Sequence, residues 1–579
     1  MPLTAEQPDA FAFSSPNAYF NELDEHRLPV LRDDLLHHAS GCYTAVMEAK
    51  RLNRLAETRL MAAEKYAELA RGLGLSLPDE PLEPAWRNVL FNQFHDILGG
   101  CSLRAAYEDA RESFGESLNV AARVTNCSLQ AIAWNIDTSQ GLPVRNNKHD
   151  FRLWEQEGRG VPVTVFNPHD RAAILPVRTG VQVASVADEA GQSVPCQRLR
   201  GPVTNGREDK WETAFLAEVP PLGWRTYWLY QNPKATAARS SRMLEAGPDR
   251  LENDWLAVRL DPNSGRIRSL YDKVAGKHLL TGEASALVID ETACDTWAHR
   301  VFAFRDVVGR FEGARPTLME CGDVQAAVHV AGRYESSILE QRITLYRDKP
   351  GLFIEYRVQW NQPHQMLKLD FPTPWKEGRV TASIPYGHWE RPADGKEQPM
   401  QRWVLLHSDG YGLGVATDSR SAYDALEGGL RITALRSPLY ADHFGERDAY
   451  TEFTEQGEQR FALMLAPVDG DIAPFAAAAT ELGTPVERIV GTYHKGSLPQ
   501  VGQALRVSAP NIRVAVFKRS EEGDGLILRC HETAGRACEA HIELPLHGYA
   551  WTAAFTPQQI RSFLLRDGEV VPVNLLEEV

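Results

Sequence analysis

The sequence has no run of apolar residues long enough to cross a bilayer. Its first residues, Met1-Pro2-Leu3-Thr4-Ala5-Glu6-Gln7-Pro8-Asp9, have neither a basic start nor an apolar core, so no secretory signal is expected there. Cysteine is scarce and scattered. The eight (Cys42, Cys101, Cys127, Cys196, Cys294, Cys321, Cys530, Cys538) include no Cys-x-x-Cys pair, so neither a thiolate zinc site nor a disulfide framework is expected. Positive charge is in deficit, with 62 Lys and Arg against 77 Asp and Glu and a net charge of −15. That balance argues against a nucleic-acid backbone or an anionic membrane as partner. These absences give the expectation of a reducing, cytoplasmic protein, for which the sequon Asn126-Cys127-Ser128 would carry no meaning.

What is present is ordinary for a globular chain: 43% hydrophobic and 24% charged residues over 579 positions. At roughly 100–200 residues per domain, about three to five domains are expected. Residues 1–32 show little pattern. From Asp33 to about Leu73 the spacing is helical, with Leu36, Tyr43, Val46, Leu52, Leu55, Leu60, Ala63, Tyr66 and Leu69 near one stripe, and Gly72-Leu73-Gly74 and Pro78 ending it. A further helix is expected from Ser102 to about Ile136. Between them lies Trp86-Arg87-Asn88-Val89-Leu90-Phe91-Asn92-Gln93-Phe94-His95-Asp96-Ile97-Leu98-Gly99-Gly100-Cys101-Ser102. Val89, Leu90, Phe94, Ile97 and Leu98 would form one apolar helix face, with Asn92, Gln93, His95 and Asp96 at its C-terminal end. Gly99-Gly100 would stop that helix and Ser102 would cap the next. On spacing alone, His95 reads as a helix-end histidine beside Asp96, favourable with the dipole. Lys50, Arg51 and Arg54 read as a solvated helix face.

Near residue 140, glycine and proline become frequent and alternation replaces helical spacing. Val161 to Asn167 reads as a strand ended at Asn167-Pro168. Asp261-Pro262-Asn263-Ser264-Gly265 is a turn between strands, and Tyr334 to Tyr346 and Gly351 to Trp360 alternate. Asn232 to Met243 is linker-like. The fold class expected is α+β and multidomain: a three-helix bundle at 33–137, a small β-sandwich at 140–245, a β-supersandwich at 246–489 and a final β domain at 490–579, the part after 140 being almost entirely antiparallel.

The string Asn92-Gln93-Phe94-His95-Asp96-Ile97-Leu98, followed by Ser102-Leu103 and Ala106-Tyr107-Glu108-Asp109-Ala110, resembles the central helical segment of glycoside hydrolase family 38, the α-mannosidases. Further fragments resemble the same family: His38-Ala39-Ser40-Gly41-Cys42-Tyr43-Thr44, Ile384 to Pro392, Leu435 to Tyr440 and Lys518 to Arg529. Gly99 and Cys101 depart from its usual Pro and Ser or Thr. The resemblance implies a galactose-mutarotase-like supersandwich and a retaining, zinc-dependent hydrolysis of α-mannosides. It implies that His95 is a zinc ligand, that Asp96 lies at the sugar subsite, and that an α-mannoside oligosaccharide is the partner. It also implies that the nucleophile, the general acid and a His-x-Asp pair of ligands lie in a domain preceding the bundle.

Retaining hydrolysis needs two carboxyl groups about 5–5.5 Å apart, and zinc needs about four ligands. Residues 1–32 read as the end of that preceding domain and hold no His-x-Asp. The His-x-Asp at His407-Ser408-Asp409, before Gly410, reads as a hairpin turn with an exposed histidine. No catalytic residue is therefore expected in this chain, and zinc would have one ligand, His95. Three readings follow: the C-terminal portion of an α-mannosidase working with a separately encoded N-terminal catalytic domain; a non-catalytic carbohydrate-binding or scaffold protein; or a lyase- or mutarotase-like sandwich enzyme, for which residues 250–490 offer no clustered acid–base set. A homo-oligomer is compatible with all three.

Overall fold

The computed structural model describes residues 14–31, 39–78, 81–141, 158–181, 183–202, 210–231, 242–441 and 448–579. It divides into two compact units, residues 1–38 and 39–579. In the first, helix α1 (Pro16–Asn21) starts where Ser15 accepts a hydrogen bond from the Ala18 amide, and a 3-10 turn follows at Glu25–Arg27.

The second unit opens with a 3-10 turn, Ser40–Tyr43, and then helices α2 (Met47–Gly72), α3 (Glu83–Asn92), α4 (His95–Leu98) and α5 (Arg104–Asn135). The first long helix begins at Met47, not near Asp33. Ala39 and Val46 both adopt left-handed backbone. The turn between them is fastened elsewhere, with the Gly41 amide donating to the Trp297 carbonyl and Ser40 Oγ to Val301. Leu36 lies outside the described residues. Alanines 56, 63 and 67 of α2 let α5 approach closely, and Leu60, Phe114 and Val89 fill the space between the three helices. Tyr66 and Leu69 of α2 meet Leu129 and Ile132 of α5, so these two helices run parallel and α3 returns between them.

Beyond residue 140, every strand pairing among the described residues is antiparallel; the parallel contact is the isolated bridge Ile136–Leu498. The small sandwich packs a sheet built on Val161–Asn167 and Gly223–Tyr230 against Ala173–Thr179, Trp211–Val219 and Cys196–Arg200. Its first sheet also takes in Glu487–Val490 and Val501–Gln503. The boundary expected at 489/490 therefore cuts through a strand, and strands from both sides of it complete the small sandwich. Residues 232–241 of the linker expected from Asn232 to Met243 fall outside the described residues.

The supersandwich is a ten-stranded sheet facing a six-stranded one, with a meander from Leu244 to His278 beside them. Alternation is clean in Leu352–Trp360, whose odd-register residues Ile354, Tyr356 and Val358 point into the core. Asp261 Oδ1 accepts hydrogen bonds from the Asn263 and Ser264 amides, as turn chemistry requires. One element departs from the all-β expectation. Helix α6 (Ala473–Leu482), alanine-rich with proline in its first turn, lays Phe475 and Ala479 on Trp403, Leu405 and Met464. The last domain stacks Ile512–Arg519, Leu526–Glu532, Ile560–Arg566 and Glu569–Val573 over Cys538–Leu544 and Tyr549–Phe555, and its core continues into the C-terminal ends of α2 and α5.

Candidate active-site face

The polar cluster at the end of α3 divides into two groups facing opposite ways. Asn92 and Gln93 turn inward. Asn92 Nδ2 donates to the Asn88 carbonyl and Ser113 Oγ, and Gln93 Nε2 donates to Asn53 Oδ1 (3.1 Å) and Glu57 Oε1 (2.8 Å). These bonds tie α3 to its neighbours. The helix then stops. Phe94 is extended, with ψ 143°, and His95 begins the separate single turn α4. His95 is thus the first residue of a turn and not the last of a helix, so the favourable dipole interaction expected there does not exist.

Turning outward, His95 has a side chain 78% exposed and Asp96 one 49% exposed, with Nε2 and Oδ1 3.4 Å apart. The Phe94 ring lies 4.2 Å from the imidazole. The backbone beneath is closely bonded. The Gly99 amide donates to the His95 carbonyl (2.8 Å), the Cys101 amide to the Asp96 carbonyl (3.0 Å), and Tyr107 Oη to the Asp96 carbonyl (3.2 Å). The Ser102 amide donates to Tyr107 Oη. Ser102 does not cap α5, whose N-cap is Leu103 without a side-chain bond. The result is a hydrogen-bonded loop presenting an exposed imidazole and carboxylate.

The expected apolar face is also split. Val89 is fully buried and Ile97 half-buried, but Leu90 (59%), Phe94 (56%), and beside them Phe91 (77%) and Leu103 (64%), are exposed. Exposed large apolar groups in the segments flanking an exposed His-Asp pair are suited to burial against another protein surface. At its edge Arg104 pairs with Glu108 and Glu452.

His407 is half-buried, not exposed. Its Nε2 lies 3.0 Å from Thr381 Oγ1, and desolvation lowers its pKa. The hairpin turn around it forms as expected, with Asp409 and Gly410 both at positive φ. Lys50 and Arg54 do not lie on a solvated face. They reach the Ala45 and Gln401 carbonyls, and burial pushes their pKa values down to about 8 and about 9. Among the described residues no group of three or more His, Cys, Asp or Glu side chains comes together, so His95 has Asp96 alone as a neighbouring donor.

Two family descriptions match the chain: "Alpha mannosidase middle domain" over residues 37–132 and "Glycosyl hydrolases family 38 C-terminal domain" over residues 251–444. The chain belongs to glycoside hydrolase family 38. It carries the middle and C-terminal domains of that family's α-mannosidases. α-Mannosidase G of Dictyostelium discoideum is 22% identical over 98% of this chain and 52% of its own length. Human α-mannosidase 2C1 is 24% identical over 92% of this chain and 48% of its own. The chain thus spans about half the length of the curated relatives it matches. The fold matches that of an α-mannosidase from Enterococcus faecalis V583, with a TM-score of 0.76 at 16% identity, covering 95% of this chain and 71% of that one.

Proposed function

We propose that the chain is the part of a retaining, zinc-dependent α-mannosidase that supplies one metal ligand and one wall of the sugar subsite, and that it holds neither catalytic carboxylate. The observation that carries this reading is the hydrogen-bonded turn displaying His95 and Asp96 beside the exposed Phe94, with Leu90, Phe91 and Leu103 exposed in the flanking segments. The nucleophile, the acid and the remaining ligands come from a His-x-Asp-bearing domain seated on this exposed surface. His95 would offer the metal a neutral imidazole, and zinc, when bound, would hold sugar hydroxyls and help offset charge at the reacting centre. Asp96, anchored through its own carbonyl by Tyr107, is placed to accept hydrogen bonds from sugar hydroxyls. The hydrogen bonds to the His95 and Asp96 carbonyls fix the backbone from which both groups project, which is what a ligand shared between two domains requires.

The test is hydrolysis of an aryl α-mannoside by the purified 579-residue chain with zinc, then by the chain mixed with a His-x-Asp-bearing domain of the family. The expected result is no enzymatic turnover by the chain alone and turnover on mixing, lost by roughly four orders of magnitude or more with His95→Ala. Robust turnover by the chain alone overturns the reading. Glycan binding without hydrolysis in either mixture favours the carbohydrate-binding alternative.

A further inference from the structure

Two of the eight cysteines, 59 positions apart in sequence, meet in space: Cys42 Sγ lies 3.3 Å from Cys101 Sγ. Cys42 is in the 3-10 turn ahead of α2, and Cys101 ends the loop that carries His95 and Asp96. Cys101 Sγ is also 3.3 Å from the Gly99 carbonyl. A disulfide needs the sulfurs to close to about 2.05 Å, a shift of a little over 1 Å that side-chain rotation can supply. The surroundings are unequal. The Cys101 thiol facing Cys42, and after it the cations Lys50 and Arg436, lower the Cys42 thiol to about 7, against opposing burial and the carboxylate of Asp295. Cys101 is buried and held in the thiol form. Cys42 is half-buried, within reach of a small solute. One acidified, reachable thiol beside a buried protonated one is the arrangement of an attacking cysteine and its resolving partner.

We propose that Cys42 and Cys101 form a reversible disulfide on exposure to a peroxide, fastening the His95 loop to the turn that precedes α2. In the first step the Cys42 thiolate attacks one oxygen of hydrogen peroxide. The O–O bond breaks and hydroxide leaves, taking up a proton to become water, and Cys42 becomes a sulfenic acid. In the second, Cys101 sulfur attacks the Cys42 sulfur. The S–O bond breaks, and the departing hydroxide takes the Cys101 proton to form a second water. Two thiols are oxidised and one peroxide is reduced to two waters. Reduction by a dithiol returns both cysteines. The bond would join Cys101, next to Gly100, to the 3-10 turn and restrict the loop that carries His95 and Asp96.

The experiment treats the purified chain with stoichiometric hydrogen peroxide and maps peptides without reduction. The expected product is a Cys42–Cys101 linked peptide, with the intact mass lower by two hydrogens, reversed by dithiothreitol. Hydrogen exchange at residues 95–101 should slow at least several-fold in the oxidised chain. Labelling of Cys42 by iodoacetamide in the reduced chain should reach half its maximal rate near pH 7. Cys101→Ser should leave Cys42 as a sulfenic acid, trapped by dimedone, in a chain whose circular dichroism is unchanged. Linkage of other cysteines, over-oxidation of Cys42 in the wild-type chain without the cross-link, or equal exchange in both redox states would overturn the proposal.

Discussion

Gly100 and His95 sit five residues apart and are constrained in opposite ways. Gly100 has φ +79°, and a Cβ there would meet Ala45 Cβ and its carbonyl at 2.5 Å. Both the backbone conformation and the space exclude a side chain. Gly100→Ala should cost about 1–3 kcal/mol from backbone strain alone, read as a lower urea midpoint at unchanged m-value. His95, by contrast, touches little beyond Phe94 and Asp96. His95→Ala should alter stability by less than about 0.5 kcal/mol, as exposed positions do, while removing the activity of the assembled enzyme. The glycine pair was legible as a helix stop, but it ends the single turn α4, α3 having already ended at Asn92. The meeting of Cys42 with Cys101 was not legible, because spacing in sequence carries no information about a contact between two turns that the parallel packing of α2 and α5 brings to the same end of the bundle.

Among the elements, the long helices and the alternating strands were legible because each buries one regular face, and a regular face leaves a period in the sequence. The break between α3 and α4 left no such mark. It is fixed by Gln93 bonding to Asn53 and Glu57 on another helix, and by Phe94 turning its ring outward. Lys50 and Arg54 were misread for a related reason. Their burial depends on the supersandwich, with Gln401 lying 347 positions away from Arg54. The turn between Val161–Asn167 and Ala173–Thr179 brings a further consequence of such packing. His169, 7% exposed, lies against α2 and the strand Ile512–Arg519. Desolvation first, then the charges of Lys65 and Arg513, with Arg171 adding and Asp170 opposing, push its pKa down to about 3. His531 nearby falls to about 4, again through burial first. Below about pH 6.5 the unfolded chain takes up a proton at His169 that the folded chain does not. At this site the unfolded state then binds more protons, so the contribution of His169 to stability falls as pH falls from about 6.5 towards 3 and is constant above that window. The slope from one such group approaches about 1.4 kcal/mol per pH unit. Between pH 6.5 and 5 the urea midpoint of the wild-type chain should therefore fall relative to that of His169→Gln; parallel pH profiles for the two chains would mean that His169 is protonated in the folded chain.

At the scale of the molecule, the order of helical bundle, small sandwich, supersandwich and final β domain was readable from composition and period, whereas the joining of Glu487–Val490 and Val501–Gln503 to the small sandwich was not. Short strands that complete a distant sheet have too few residues to show a period. The face around His95 is a whole-molecule property of the same kind. Leu90 and Phe91 come from α3, and Phe94 and Leu103 from the segments on either side of α4; their exposure becomes visible only once Val89, Ile97 and Tyr107 have taken the inward positions. If this exposed surface is where the catalytic domain seats, its energetics should be those of an interface centre. Phe91, 77% exposed here, would be buried on association, and losing a large buried aromatic at such a centre costs about 2 kcal/mol or more. Phe91→Asp adds a desolvated charge to that loss. The variant should keep the thermal midpoint of the chain, because Phe91 supports nothing within it, yet bind the His-x-Asp-bearing domain at least about 30-fold more weakly in a titration followed by calorimetry. Turnover should recover when that domain is raised to saturating concentration, since the substitution leaves His95 and Asp96 in place. Unimpaired binding by Phe91→Asp would move the catalytic domain to another surface and leave the exposure of Phe91 unexplained. Impaired binding whose turnover does not recover at saturation would mean that Phe91 acts on the substrate side of the cleft and not only in docking.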